Sequence, residues 1–165
     1  MRDIIIEVFS DHSRIIIFLH ITSAVLLIGS MFCVRFFLCP MLDKIQNEEI
    51  RYNSYLLLIR NYFYFIAVLM LVLITVSVFM NIGLGFKYGN PTTYIIIHAK
   101  ELCWTIMAFN FLFMYAKYRS AKKAILKEEY VEVHENIVLI TKYIIPINLL
   151  IGVISIYFGL LIRGW

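Results

Sequence analysis

Three ionisable residues, His98, Lys100 and Glu101, stand near the start of the otherwise apolar run 94–115. A charge at the centre of a membrane helix costs roughly 2.5 to 3.5 kcal/mol on insertion scales, so these groups need water, a partner or a ligand. Another histidine, His20, interrupts an earlier apolar run. Because imidazole is a regular axial ligand of haem iron, two histidines that face each other inside a membrane protein would form a haem site.

The composition indicates which elements must carry these residues. The chain has 165 residues, of which 62% are hydrophobic and only 16% are charged, so it is too apolar for a soluble domain. A helix needs about 20 apolar residues to cross a hydrocarbon core of about 30 Å. Four runs approach or exceed that length: Ile15 to Leu38, Leu56 to Ile82, Tyr94 to Tyr118 and Ile137 to Ile162. With short connections, residues 1–165 are predicted to form one all-α integral membrane domain, an antiparallel bundle of four transmembrane helices.

The basic residues predict the orientation of this bundle. One side would carry Arg35, Lys44, Arg51, Arg60, Lys117, Arg119, Lys122, Lys123, Lys127 and Lys142. The other side would carry half as many, namely Arg2, Arg14, Lys87, Lys100 and Arg163. Cytoplasmic connections of membrane proteins are enriched in lysine and arginine, so both termini are predicted to lie outside. The net charge of +4 follows from this asymmetry, which predicts contact with lipid headgroups and no nucleic-acid partner.

His20 and His98 are predicted to lie at the same depth. The first and third spans run in the same direction, and a rise of 1.5 Å per residue places His20 about 7 Å beyond Ile15 and His98 about 6 Å beyond Tyr94. First and third helices of a four-helix bundle are often diagonal and roughly 11 to 14 Å apart. That gap accommodates an iron between two imidazoles, so we expect the two histidines to face each other across a haem.

Helical periodicity supports an inward orientation for both histidines. Stripes of small or polar residues follow them: Ser23, Ala24, Leu27 and Ser30 in the first span, and Glu101, Thr105 and Ala108 in the third. Lys100 is turned by about 200° from His98, which predicts a place at the outer interface near a haem propionate. Glu101 belongs to the same site or pairs with Lys100 or another basic residue. The predicted cofactor-binding residues are His20, His98, Lys100 and Glu101, with His20 and His98 as metal ligands.

The same residues allow two other interpretations. Copper binding would add a soft ligand such as Met80, which ends the second span on the side of both histidines. A structural, non-catalytic membrane subunit would need neither histidine inside the bundle. A single histidine near the end of a membrane helix is more often an interfacial or hydrogen-bonded residue than a ligand, so this interpretation also stays open.

Prolines and small residues predict the shape of the outer two spans in the sequence. Proline lacks an amide donor, so Pro40 is expected to end the first helix at Phe37 to Pro40, and Pro146 is expected to kink the fourth helix close to Ile145. A stripe of small residues in the fourth span predicts close helix packing: Gly152, Ser155 and Gly159.

Short motifs in two spans resemble a known superfamily. They are Leu19-His20-Ile21, Gly29 and Arg35 in the first span and His98-Ala99-Lys100 in the third. This arrangement resembles the HemJ-type protoporphyrinogen oxidase and the related CopD-type copper-resistance membrane domain. The first resemblance implies haem b ligation and oxidation in the haem pathway, with His20 and Lys100 at positions of important family residues, whereas the second implies copper handling. The HemJ-type first helix usually has a tryptophan and a Leu-Pro-Arg sequence, and the segment 27–35 has neither, so the resemblance favours haem binding over oxidase activity.

The sequence therefore predicts a multi-pass protein of a bacterial-type inner membrane that binds haem b between its first and third helices near the periplasmic side. A redox function is expected, with membrane lipid and a porphyrin or quinone-type redox partner as partners. CopD-like copper binding or transport and a non-catalytic membrane subunit are the alternatives.

Overall fold

The computed structural model describes residues 2–85 and 90–162, which form four long helices and contain no strand. Helix α1 begins with Arg2–Cys33, continues through a π-helical turn at Val34–Leu38 and ends with Cys39–Leu42. Helix α2 is Glu48–Gly83, and helix α3 is Pro91–Ile125. Helix α4 begins with Tyr130–Val138, passes through a π-helical turn at Leu139–Ile144 and ends with Ile145–Ile162.

All four helices are long and apolar enough to cross a membrane. This confirms the four predicted spans, each of which extends further at its polar ends than the apolar run alone. Large apolar side chains point away from the bundle on every side: Phe18 is 66% exposed, Leu71 is 70% exposed and Leu112 is 67% exposed. Because water would oppose such a surface and lipid accepts it, the fold is that of a multi-pass membrane protein.

Asparagine side chains start two of the helices. The side-chain oxygen of Asn47 accepts a hydrogen bond from the amide of Ile50 at the beginning of α2, with a length of 3.0 Å. Asn90 does the same for the amide of Thr92 at 2.9 Å, and Pro91 occupies the first position of α3, where no amide donor is needed. These caps fix where both helices begin.

Pro40 and Pro146 are each accommodated by a π-helical turn. A proline ring clashes with the carbonyl four residues earlier, and for Pro40 and Pro146 that carbonyl lies inside the turns Val34–Leu38 and Leu139–Ile144. The wider turn relieves the clash. A π-helical turn ends at Ile144, directly before the predicted kink close to Ile145, and the kink itself stays a prediction. The prediction that α1 ends at Pro40 is wrong, because α1 continues to Leu42.

The helices form a ring in chain order. Helix α1 packs along α2, α3 packs along α4, and the α1–α4 and α2–α3 contacts close the ring. Among the described residues α1 and α3 do not form a packed pair, so they lie on the diagonal as predicted. We call the half of the bundle near the α2–α3 connection the His20 half, and the half near the other two connections the Tyr55 half.

The core is densest in the Tyr55 half. Several large side chains there are fully buried, and they come from every helix: Met31, Ile59, Met114, Val133 and Ile140. The two π-helical turns also contact each other, which joins α1 to α4 at this level. All four helices therefore contribute to a packed core in the Tyr55 half.

Candidate cofactor site

A cavity of about 360 Å³ lies in the His20 half and is lined by all four helices. Its polar lining comes from His20 on α1, Lys100 on α3 and Ser155 on α4, and most of the remaining wall is aliphatic. Met80 at the end of α2 and Trp104 on α3 complete it. Ligand-binding cavities typically measure about 300 to 1,000 Å³ and combine an apolar wall with a few polar groups, so this cavity has the character of a binding site.

Helix α1 presents His20 as predicted. The side chain is half-buried, and its Nδ1 lies 3.4 Å from the hydroxyl oxygen of Ser77 on α2. Further along the same face, Ser23 and Leu27 are buried, so the predicted inward stripe of α1 is confirmed. A contact through Nδ1 orients the imidazole ring and is compatible with ligation through Nε2.

Helix α3 presents Lys100 to the cavity and directs His98 elsewhere. The inward face of α3 contains Ile97, Lys100, Trp104 and Met107. The side chain of His98 is 45% exposed and does not line the cavity. The expected face-to-face placement of His98 and His20 across the cavity therefore differs from the structure. The two positions are about 200° apart around the helix, so only one of them can face inward, and packing selects the lysine.

His98 instead forms a local cluster on the surface of α3. Its Nδ1 lies 3.0 Å from a carboxylate oxygen of Glu101, and its ring centroid is 4.3 Å from that of Tyr94. Glu101 connects this cluster to the interior, since it lines a smaller cavity of about 80 Å³ together with His20 and Lys100. Three of the four predicted cofactor-binding residues thus converge, and His98 touches the group through Glu101.

The smaller cavity is the polar end of the larger one. His20, Lys100, Met80 and Trp104 line both, and Ser77, Asn81 and Glu101 contribute only to the smaller. The polar groups are thus gathered toward the α2–α3 connection, and the apolar wall extends toward the middle of the bundle. This gives the site an amphipathic character.

The small-residue stripe of α4 forms one wall of the cavity. A methyl group added at Gly152 would lie 3.1 Å from the side chain of Ile28, so the predicted close approach of helices occurs there, between α4 and α1. One added at Gly159 would lie 3.4 Å from the ammonium nitrogen of Lys100. Beyond Gly152 the stripe therefore leaves space that Lys100 and the cavity occupy.

Two sets of polar residues in the structure were not predicted from the sequence. Ser77 contacts His20, and a lone serine in an apolar run carries no distinctive signal. The other is an amide pair deep in the bundle, where Asn110 donates a 2.7 Å hydrogen bond to the side-chain oxygen of the fully buried Asn148. A polar asparagine side chain within a membrane span is energetically unfavourable, so the sequence already indicated that both asparagines need a partner. The amide pair links α3 to α4 one helical turn from Met107 and Gly152.

The donors suit a cofactor better than a bare metal ion. Among the described residues no group of three or more His, Cys, Asp and Glu side chains could hold a metal ion. The cavity does combine an imidazole, a thioether and an ammonium group from His20, Met80 and Lys100. A haem brings its own four equatorial nitrogens, so the protein needs to provide only axial ligands and partners for the propionates.

No family model matches the chain, and comparisons with curated proteins and with solved structures return no significant match. The resemblance to the HemJ-type and CopD-type proteins remains a prediction, and the site is interpreted from its own residues.

Proposed function

We propose that this chain is a haem b protein of a bacterial-type inner membrane, with a redox function and with its cofactor in the cavity of the His20 half. One observation carries the proposal. His20, Met80 and Lys100 come from three different helices and line one largely apolar cavity. Haem, when bound, supplies one-electron chemistry at its iron, and the protein supplies ligation, orientation and the electrostatic surroundings.

Residues from all four helices would hold such a cofactor. His20 would hold the haem iron through its imidazole, and its contact with Ser77 holds the ring orientation. Met80 would be the second residue to hold the iron, because histidine and methionine together are a known haem ligand pair. Lys100 would be the partner of a propionate, and the cavity space beside Ser155 and Gly159 of α4 would take the body of the cofactor.

Copper binding is the second candidate function. The same pair, His20 and Met80, favours it, since imidazole and thioether groups also bind copper. These two donors do not complete a copper site, so a copper ion would need a further ligand from Glu101, which lines the smaller cavity with them, or from outside the chain. Haem requires no such addition, and it is therefore our first choice.

Absorption spectroscopy of the purified full-length protein tests the proposal. After expression with ample haem supply we expect a six-coordinate, low-spin haem b spectrum, which His20→Ala abolishes because the substitution removes an iron ligand. His134→Ala is the matched control, since His134 lies in the Tyr55 half, 3.4 Å from the hydroxyl of Tyr52. Protein that carries no haem and binds none on titration would overturn the proposal, and stoichiometric copper in metal analysis would select the second candidate.

A further inference from the structure

The cavity of the His20 half is open between α1 and α4, and the 42% exposed Leu84 beside α2 also borders it. Ile21 and Val25 on α1 and Ile156 and Leu160 on α4 line it, and these side chains are between 43% and 60% exposed. A residue that lines a cavity and is also exposed at the outer surface lies at its mouth. The mouth is therefore between α1 and α4, and its apolar rim faces the lipid that surrounds a membrane protein.

The polar end of the cavity lies near the boundary of the hydrocarbon core. Lys100 and Lys117 are 17 residues apart on α3, which corresponds to about 26 Å at 1.5 Å per residue. A hydrocarbon core is about 30 Å thick, so a bilayer with these two lysines near its two boundaries fits α3. Lys100 is thus at the depth where the charged heads of amphiphiles meet their apolar tails.

Lys100 is a cation that needs a counter-ion. The side chain is half-buried, and it forms no ion pair or hydrogen bond within residues 2–85 and 90–162. A partly desolvated ammonium group is stabilised when an anion pairs with it. The nearest carboxylate along α3, Glu101, is held 3.0 Å from His98. The lining of the cavity thus offers an anion a cationic partner and offers its apolar body an aliphatic wall.

We propose that the cavity takes up amphiphiles with an anionic head sideways from the adjacent leaflet, through the mouth between α1 and α4. The head pairs with Lys100, and the apolar body lies against the Gly152, Ser155 and Gly159 face of α4. This inference rests on the cavity used in the proposed function and defines both the ligand class and the route. Haem with its propionates belongs to that class, and so do fatty acids, which contain no iron and therefore test the route separately.

Quenching of Trp104 fluorescence by dibromostearate tests the inference. The chain has two tryptophans, so Trp165→Phe leaves Trp104, in the cavity wall, as the only emitter. The full chain is placed in nanodiscs of zwitterionic lipid after its haem content is measured, so that occupied protein is counted. We expect saturable quenching by the acid. Its methyl ester should require at least about tenfold higher concentration, since it lacks the charge-assisted bond to Lys100.

Two substitutions and a control assign the quenching to the cavity. Lys100→Met should weaken quenching by the acid about tenfold without changing that by the ester. Gly159→Leu fills the cavity beside Lys100 and should remove saturable quenching. Gly29→Leu is the matched control, because a methyl group added at Gly29 meets no atom within 4 Å and points into open space. The comparison of acid with ester on the Trp165→Phe protein decides the question even if Gly159→Leu does not fold.

Equal, non-saturating quenching by acid and ester would show that bulk lipid reaches Trp104, and it would overturn the inference. Equal loss in the Gly29→Leu and Gly159→Leu proteins would do the same. Selective acid binding by protein that never binds haem would leave the inference standing and remove the proposed function. Haem binding without selectivity for the acid would overturn the inference and leave the proposed function standing.

Discussion

The two halves of the bundle are built from the same four helices, but side chains fill one half and a cavity remains in the other. In the Tyr55 half, Met31, Ile59 and Met114 fill the axis and are fully buried. In the His20 half, the positions of α4 that face inward are Gly152, Ser155 and Gly159, and a cavity of about 360 Å³ remains beside them. Side-chain volume on one helix therefore determines where this bundle is solid and where it is hollow.

The α1–α4 interface shows the same contrast along its length. In the Tyr55 half the two π-helical turns contact each other and hold α1 and α4 together. Gly152 approaches Ile28 closely at the level between the two halves. Beyond it, the exposed side chains of Val25 and Leu160 border the mouth of the cavity. Closure at one level and opening at the other allow a ligand to enter without separation of the whole interface.

The prediction with the largest expected effect concerns the orientation of the two halves in the membrane. The distribution of lysine and arginine predicts that the His20 half faces outward. A reporter inserted within 122–129 should therefore read as cytoplasmic, and one fused after Trp165, which lies outside the described residues, as periplasmic. The reverse pattern would place the cavity and Lys100 in the cytoplasmic leaflet and would change the source of any ligand that enters sideways.

The next prediction concerns the removal of one methionine side chain from each half. Met114→Ala removes a fully buried side chain from the Tyr55 half and should lower the free energy of unfolding by about 2 to 5 kcal/mol. Met80→Ala borders existing empty space, so it should cost about 1 kcal/mol or less and alter the haem spectrum instead. Unfolding in mixed micelles, followed by circular dichroism, measures both. Equal destabilisation would mean that the cavity is closed in the membrane.

Much of this architecture could be predicted from the sequence, and the limit lies in α3. The length and apolarity of the four runs were sufficient to predict the spans. The stripe of small or polar residues after His20 was sufficient to predict which face of α1 points inward. In α3 the stripe of Glu101, Thr105 and Ala108 marked His98 as inward, but apolar residues surround this helix and the structure turns Lys100 inward instead. Only the packing of Ile97 and Met107 determines the choice. The cavity itself could not be predicted, because it depends on how glycines of α4 stand against side chains of other helices.

A smaller effect tests the polar contacts that close the Tyr55 half. The buried hydroxyl of Tyr55 lies 2.8 Å from a carboxylate oxygen of Asp43 and 2.9 Å from the carbonyl oxygen of Cys39, and it donates to this pair of acceptors. Tyr55→Phe should lower the free energy of unfolding by about 1 to 3 kcal/mol, because it leaves acceptors without their donor. Tyr64→Phe, on the same helix and 71% exposed, is the control and should change little. A comparable loss in both variants would mean that the Tyr55 hydroxyl has no special role.

The smallest effect on the cofactor is expected from His98→Ala, and it decides between the two histidines. His98 is 45% exposed and contacts Glu101 rather than the larger cavity, so its removal should leave the haem content and the low-spin spectrum unchanged. His20→Ala, by contrast, should abolish the spectrum, and Lys100→Met should lower haem affinity, since it removes the partner of a propionate. Haem titration of the three purified variants ranks them directly. A loss in His98→Ala as large as that in His20→Ala would restore the pair of imidazoles predicted from the sequence, and it would require α3 to rotate when the cofactor binds.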